Sequence, residues 1–180
     1  MNRASTTTRA NVLDDSDIAI SGSAGFSRCG RYRWWLAREW QPLRSRPRIV
    51  SWVMLNPSTA NAREDDATIR RCVAYSRVWG YDGLTVRNLY PLISTDPAGL
   101  WQHADPKGGT RGDRELKAAR GGSLIIVAWG ANAPAARAAE ALSILQARGK
   151  QLHCLGLTKA GQPLHPLRLR NDLRPVCFRS

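Results

Sequence analysis

The sequence predicts an α/β domain of three layers, α/β/α, with a central, mostly parallel sheet and an N-terminal antiparallel hairpin. Three observations predict it. The runs Ile49-Val50-Ser51-Trp52-Val53 and Ser123-Leu124-Ile125-Ile126-Val127-Ala128-Trp129 are almost continuously apolar, as strands buried on both faces are. Helical patterns separate such runs, which is the arrangement that parallel strands with crossover connections require. Ile18-Ala19-Ile20 and Tyr32-Arg33-Trp34-Trp35-Leu36 flank Cys29-Gly30, the pattern of a hairpin.

In chain order, Met1 to about Asn11 is rich in Ser, Thr and Arg and shows no periodicity, so residues 1–12 read as a flexible arm and 13–180 as one domain. After the hairpin comes the core strand Arg48 to Leu55. Asp65 to Tyr75 has apolar residues at helical spacing behind a pair of acids, and Gly80 ends the helix. A second core strand spans Gly83 to Leu89, and a third is the Ser123 to Trp129 run. The Ala-rich stretch from Ala135 to Arg148 is a helix closed by Gly149, followed by a strand from Gln151 to Leu157. Thr158 to Leu169, punctuated by Gly and Pro, reads as a loop over the edge of the sheet.

The 27 Lys and Arg against 14 Asp and Glu give a formal charge of +13. That excess points to a polyanionic partner, nucleic acid first. The basic residues are spread along the chain, among them Arg28, Arg31, Arg33, Arg70, Arg71, Arg168, Arg170 and Arg174, as on the face of a folded domain. The four cysteines form no Cys-x-x-Cys pair and read as reduced thiols, so neither a metal nor another cofactor is expected. No segment has the length of a membrane span, and the polar first residues lack the apolar core of a signal peptide. A monomeric, cytoplasmic protein is the expectation.

Chemistry concentrates where three elements end. Asn56-Pro57-Ser58-Thr59 follows the first core strand, Asn88-Leu89-Tyr90-Pro91 the second, and His165-Pro166 lies in the loop after the last. Alone, Asn-Pro-Ser-Thr is also an ordinary turn and helix cap. Together, the expected topology brings two carboxamides and an imidazole to the carboxyl edge of the sheet, where open α/β sheets bind ligands. A carboxamide both donates and accepts, so a pair of them suits the edge of a base. A His stabilises negative charge on that base as a bond breaks.

These residues resemble the uracil-DNA glycosylase superfamily, in its mismatch-specific and thymine-acting branch. Asn56-Pro57 is similar to the first motif of that branch, Gly83 to Pro91 to its middle strand and Asn-Leu-Val-Pro ending, and His165-Pro166 to its closing His-Pro-Ser motif. Residues 24–175 also resemble a bacterial and phage family that carries Leu-Asn-Pro-Ser-Thr-Ala, Trp-Gly-Tyr and Leu-Gly-Leu-Thr-Lys. The resemblance implies a glycosylase-like fold and excision of a flipped base from DNA, leaving an abasic site. By position, Asn56 would hold the attacking water, His165 would stabilise the leaving base, and Asn88, with Pro57, Ser58 and Tyr90, would line the base pocket. Leu167 or Leu169 would fill the gap in the stack, and Lys159, Arg168 and Arg170 would hold phosphates.

Three departures from the pattern carry information. Asn56 stands where the most active uracil enzymes have Asp, which implies a slower enzyme that positions water without deprotonating it. Leu167 replaces the Ser of the closing motif. Ser58 stands where strict uracil enzymes have a Tyr that excludes thymine, leaving space beside C5. A C5-modified pyrimidine such as hydroxymethyl or glucosylated hydroxymethyl cytosine, as in phage DNA, is therefore the expected substrate, in antiphage defence or in base excision repair. The competing expectation is a non-catalytic nucleic-acid-binding module that uses the same crevice. Elsewhere, Asp65-Asp66 reads as a helix-dipole complement, His153 as a packed strand residue, and Gly108 to Gly112 lacks the Gly-Lys-Ser/Thr ending of a phosphate loop.

Overall fold

Strand β3, Ile49–Met54, runs through the middle of the molecule because its side chains are apolar on both faces, and all but the first are buried. The computed structural model describes residues 20–40, 45–147 and 149–179, so the predicted arm over residues 1–12 lies outside the described residues. A mixed sheet of seven strands is ordered β1-β2-β4-β3-β5-β6-β7, with β1 Ser21–Phe26, β2 Arg33–Glu39, β4 Gly83–Asn88, β5 Leu124–Val127, β6 His153–Cys154 and β7 Val176–Cys177. The four central strands β4, β3, β5 and β6 are parallel. The outer strands β1, β2 and β7 pair antiparallel.

Helices α1 (Ala67–Val78), α2 (Pro97–Gln102), α3 (Gly109–Ala118) and α4 (Ala135–Gln146) divide between the two faces. Ile69, Cys72, Val73 and Tyr75 of α1 pack with Val50, Trp52, Val86 and Ile126 on one face. Leu100 of α2, Leu116 of α3, and Ala138, Ala141 and Leu145 of α4 pack with Val53, Ile125 and Val127 on the other. The sheet is thus covered on both sides, as its apolar central strands require.

Several boundaries differ from expectation for identifiable reasons. The first hairpin strand is Ser21–Phe26, later than the Ile18-Ala19-Ile20 run, of which Ile18 and Ala19 lie outside the described residues. Small residues outrank hydrophobicity in this edge strand. A Cβ on Gly25 would sit 2.4 Å from Trp35 Nε1, and one on Gly22 would sit 2.2 Å from the Ala62 carbonyl oxygen. Asp66 precedes α1 as its N-cap and accepts the Ile69 N–H at 2.8 Å, while its neighbour Asp65 pairs with buried Arg38 at 2.6 Å. The acids therefore do not fill the first helical turn. The strand expected over 151–157 shrinks to His153–Cys154, and α2, α3 and β7 were not predicted. In α3 the cause is Gly112, where a Cβ would lie 1.9 Å from the Lys107 carbonyl oxygen. A glycine demanded by close packing looks, in sequence, like a loop.

Candidate functional site

Strands β3 and β4 end side by side, with Met54 opposite Asn88. The ladder continues one step past both, Leu89 N–H donating to Met54 O at 2.8 Å and Tyr90 N–H to Leu55 O at 2.9 Å. Asn56 therefore leaves the sheet beside Asn88. The third element arrives from the far side, because Gly130, just past β5, donates its N–H to Pro163 O at 2.9 Å and docks the loop carrying His165. At Gly130 the backbone is left-handed (φ 77°) and a Cβ would come within 3.3 Å of His165 Cβ.

A cleft of about 180 Å³ results, lined by Asn56, Ser58 and Asn88, by His165, by Arg33, and by Met54, Asp66, Thr68, Ile69, Ser94 and Thr95. It exceeds the engineered cavity of about 150 Å³ that holds a benzene ring, so one aromatic heterocycle fits.

The hydrogen bonds fix which chemical face each group turns to the cleft. Asn56 Nδ2 donates to Ser94 O at 2.8 Å and to Pro57 O at 3.0 Å. With the amide nitrogen committed to two carbonyls, Oδ1 is the atom left to accept a hydrogen bond. The Asn88 side chain is 5 % exposed and makes no hydrogen bond among the described residues, so both its donor and its acceptor are free for a ligand. His165 Nδ1 accepts the Leu167 N–H at 3.3 Å, capping the 3-10 turn Pro166–Arg168. An accepting Nδ1 places the proton on Nε2, so the ring is neutral and donates through Nε2–H.

Burial lowers the His165 pKa, opposed in part by the charge of Asp66. A His with a depressed folded pKa favours the native state above its unfolded value of 6.5, and that stability is lost as pH falls through the folded pKa. The expected outcome is that wild type loses more unfolding free energy than His165→Asn between about pH 7.5 and about pH 5.5. Urea titrations of both proteins at the two pH values check it.

The loop beyond His165 is held from α1. Arg71 Nη2 donates to Leu169 O, Tyr75 OH to Arg170 O, and Trp79 Nε1 to Leu173 O, the last at 3.0 Å. This sorts the predicted DNA-facing residues. Leu167 is 40 % exposed beside the cleft, whereas Leu169 packs against the core on the α1 face. Of the two wedge candidates only Leu167 is presented outward. Arg168 and Lys159 are exposed and without an ion pair among the described residues. Arg170 is committed to Asp172, Nη2 to Oδ2 at 2.7 Å and Nε to Oδ1 at 3.1 Å, which weakens the phosphate role expected of it.

The structure brings Asn56, Ser58, Asn88 and His165 to one cleft and leaves Tyr90 and Pro57 out of its lining. Tyr90 is buried on the opposite face, its ring edge-on to Trp101 and beneath Arg137. Pro57 is buried, and its carbonyl serves Asn56 and the Ser94 N–H. Arg33, Asp66, Thr68, Ser94 and Thr95 line the cleft without having been singled out as site residues. Arg33 arrives because β2 is antiparallel to β4, which delivers the first residue of β2 to the carboxyl edge of β4. No group of three or more His, Cys, Asp or Glu able to hold a metal ion occurs among the described residues. Cys29, Cys72, Cys154 and Cys177 are all unpaired. No helix among the described residues is long and apolar enough to cross a membrane.

Residues 33–167 match the model of a family described as "Protein of unknown function (DUF1643)". The chain belongs to the DUF1643 family. The matched span opens at Arg33 and closes at Leu167, enclosing every residue that lines the cleft. Among curated proteins and among solved structures nothing matches the chain.

Proposed function

We propose that this DUF1643 protein is a DNA glycosylase of uracil-DNA glycosylase-like fold that excises a flipped, C5-modified pyrimidine and leaves an abasic site. The observation that carries the reading is the convergence of Asn56, Asn88 and His165 on one ring-sized cleft, each with its reactive atoms free. Water held by Asn56 Oδ1 adds its oxygen to C1′ of the sugar. The C1′–N1 bond breaks and its electron pair leaves on the base. The proton lost by the water ends on solvent, and the base anion takes one up on release. His165 Nε2–H donates to the leaving base throughout, and Asn88 reads the edge of its ring. No step needs a metal or a redox cofactor. Arg168 and Lys159 hold flanking phosphates and Leu167 fills the vacated stack, in keeping with the charge of +13. Hydroxymethyl and glucosylated hydroxymethyl cytosines of phage DNA are the substrates that this reading favours, with antiphage defence as the role and base excision repair as the other setting.

The test is to incubate the protein with duplex and single-stranded DNA containing uracil, thymine mismatches or 5-modified cytosines, and to measure abasic sites. Release of a 5-modified base, lost in Asn56→Ala, is expected. If no substrate yields abasic sites, the reading fails. Ser58 sets a second expectation, because it is a small, half-buried side chain on the wall of the cleft. Ser58→Tyr fills space beside the ring and lowers excision of C5-substituted bases by about 10–200-fold relative to an unsubstituted pyrimidine. Competition between the two substrates in one reaction measures that ratio directly.

A further inference from the structure

We propose that Arg33 is a second anion-stabilising residue of this cleft, and that the ligand it takes is a pyrimidine whose carbonyl oxygen becomes negatively charged. The inference rests in part on the glycosylase reading, but its physical basis is independent of it. Arg33 is 2 % exposed and lines the cleft beside Asn56, Asn88 and His165. Of its three nitrogens, Nη1 donates to Ala60 O at 2.9 Å, and Nε is buried with no partner. Nη2 has no hydrogen bond among the described residues either. Asp66 attracts the guanidinium from a distance, but its Oδ1 caps α1 through the Ile69 N–H, and no carboxylate among the described residues forms an ion pair with Arg33.

Buried arginines are ordinarily paired, because an uncompensated buried charge is costly. The contrast within this protein is direct. Buried Arg38 meets Asp65 at 2.6 Å, and buried Arg137 meets Asp113 at 2.7 Å and Glu140 at 3.0 Å. Arg33 alone among these three carries its charge into a ligand-sized space with no ion pair among the described residues, Asp66 on the same cleft acting only from a distance. Burial lowers its pKa to about 10, opposed in part by the charge of Asp66, which leaves it charged at neutral pH. The missing partner is an acceptor supplied by whatever enters.

In the excision step that acceptor is the carbonyl oxygen O2. As the C1′–N1 bond breaks, its electron pair delocalises from N1 onto O2, and the guanidinium donates a hydrogen bond to the charge that develops. O2 is common to cytosine, uracil and thymine. Arg33 therefore favours departure of any pyrimidine, while the space beside Ser58 governs which C5 group is admitted. A fixed donor aimed at developing charge is the arrangement that accelerates bond cleavage most.

The experiment separates this inference from the glycosylase reading by using free heterocycles that require no catalysis. Barbiturate is a pyrimidine whose negative charge at neutral pH is shared by C5 and the two carbonyl oxygens that flank it, and uracil is its neutral counterpart. Isothermal titration and thermal shift with each at millimolar concentration should show wild type preferring barbiturate. Arg33→Gln should abolish the preference, and Arg33→Lys, which keeps the charge without the fork, should retain part of it. In single-turnover excision, Arg33→Gln should slow base release by about 10²–10³-fold while changing DNA affinity little. A wild-type protein that does not prefer barbiturate, whether it binds both heterocycles equally or neither, overturns the assignment even if abasic sites form. So does an Arg33→Gln protein that keeps the preference. A wild-type preference for barbiturate that Arg33→Gln abolishes supports the anion pocket. The abasic-site assay reports separately on excision, and its failure alongside that result removes only the glycosylase reading.

Discussion

If the proposed excision is correct, Asn56→Ala should reduce it by about 10²–10³-fold in single-turnover assays, with DNA affinity nearly unchanged, because it removes the acceptor proposed to hold water in line with the sugar. Asn56→Asp is the sharper variant. By analogy with the fastest uracil enzymes a carboxylate here would accelerate the reaction, but the geometry around Asn56 argues the opposite. Nδ2 sits 2.8 Å from Ser94 O and 3.0 Å from Pro57 O, so an aspartate would set a second oxygen against two carbonyl oxygens. Pro57 O keeps the Ser94 N–H, but Ser94 O is left unsatisfied, which costs about 1–3 kcal/mol. The site favours the protonated acid, which raises the folded pKa of the new carboxyl. A raised pKa on an acid means that the native state is penalised progressively as pH rises through the unfolded value toward the folded one. Asn56→Asp should therefore be no faster than Asn56→Ala at neutral pH, and its loss of stability relative to wild type should grow from about pH 5 to about pH 8. Paired urea titrations and excision rates decide it. An Asn56→Asp protein that is both stable at neutral pH and faster than wild type would refute the assignment of Nδ2 to the carbonyls.

Trp52→Ala should have the largest effect on stability, about 3–5 kcal/mol in urea denaturation. Trp52 is 0 % exposed at the centre of β3. Its ring stacks on Trp79 at 5.6 Å and lies 6.2 Å from Tyr75, and its Nε1–H donates to Ser76 Oγ at 3.1 Å. The loss compares with a total stability of about 5–15 kcal/mol for a typical domain, so a substantial fraction of the variant should be unfolded near physiological temperature. The effect reaches the site as well. Tyr75 and Trp79, which the indole supports, are two of the three residues that hold the chain beyond His165. Surviving native Trp52→Ala protein should consequently show faster amide exchange in residues 167–173 than in β4.

What the sequence made legible follows the range of the forces involved. Strands β3, β4 and β5 and helices α1 and α4 could be read because apolar pattern, caps and terminal glycines are local signals. From them came the expectation that Asn56, Asn88 and His165 share one sheet edge, and the cleft contains all three. Long-range packing was not legible. Nothing near Gly112 in sequence says that the Lys107 carbonyl approaches it, and nothing near Tyr90 says that it lies beneath Arg137 on the far face. In sequence Arg33 is one basic residue among many, since its significance depends on β2 running antiparallel to β4 and on the absence of an ion pair to it among the described residues. Arg170 and Leu169 were set apart from Arg168 and Leu167 only by Asp172 and the α1 face.

The tethering of the chain beyond His165 has a consequence for how such proteins diversify. Arg71, Tyr75 and Trp79 all bind main-chain carbonyls, those of Leu169, Arg170 and Leu173. A carbonyl is the same whatever side chain it carries. The path of this segment is therefore encoded largely in the helix, and apart from Leu169 and Leu173, whose side chains pack on the core, its residues are free to change identity without displacing the imidazole that precedes them. Selection is left with a surface it can rewrite one residue at a time, mounted on a support that tolerates the rewriting.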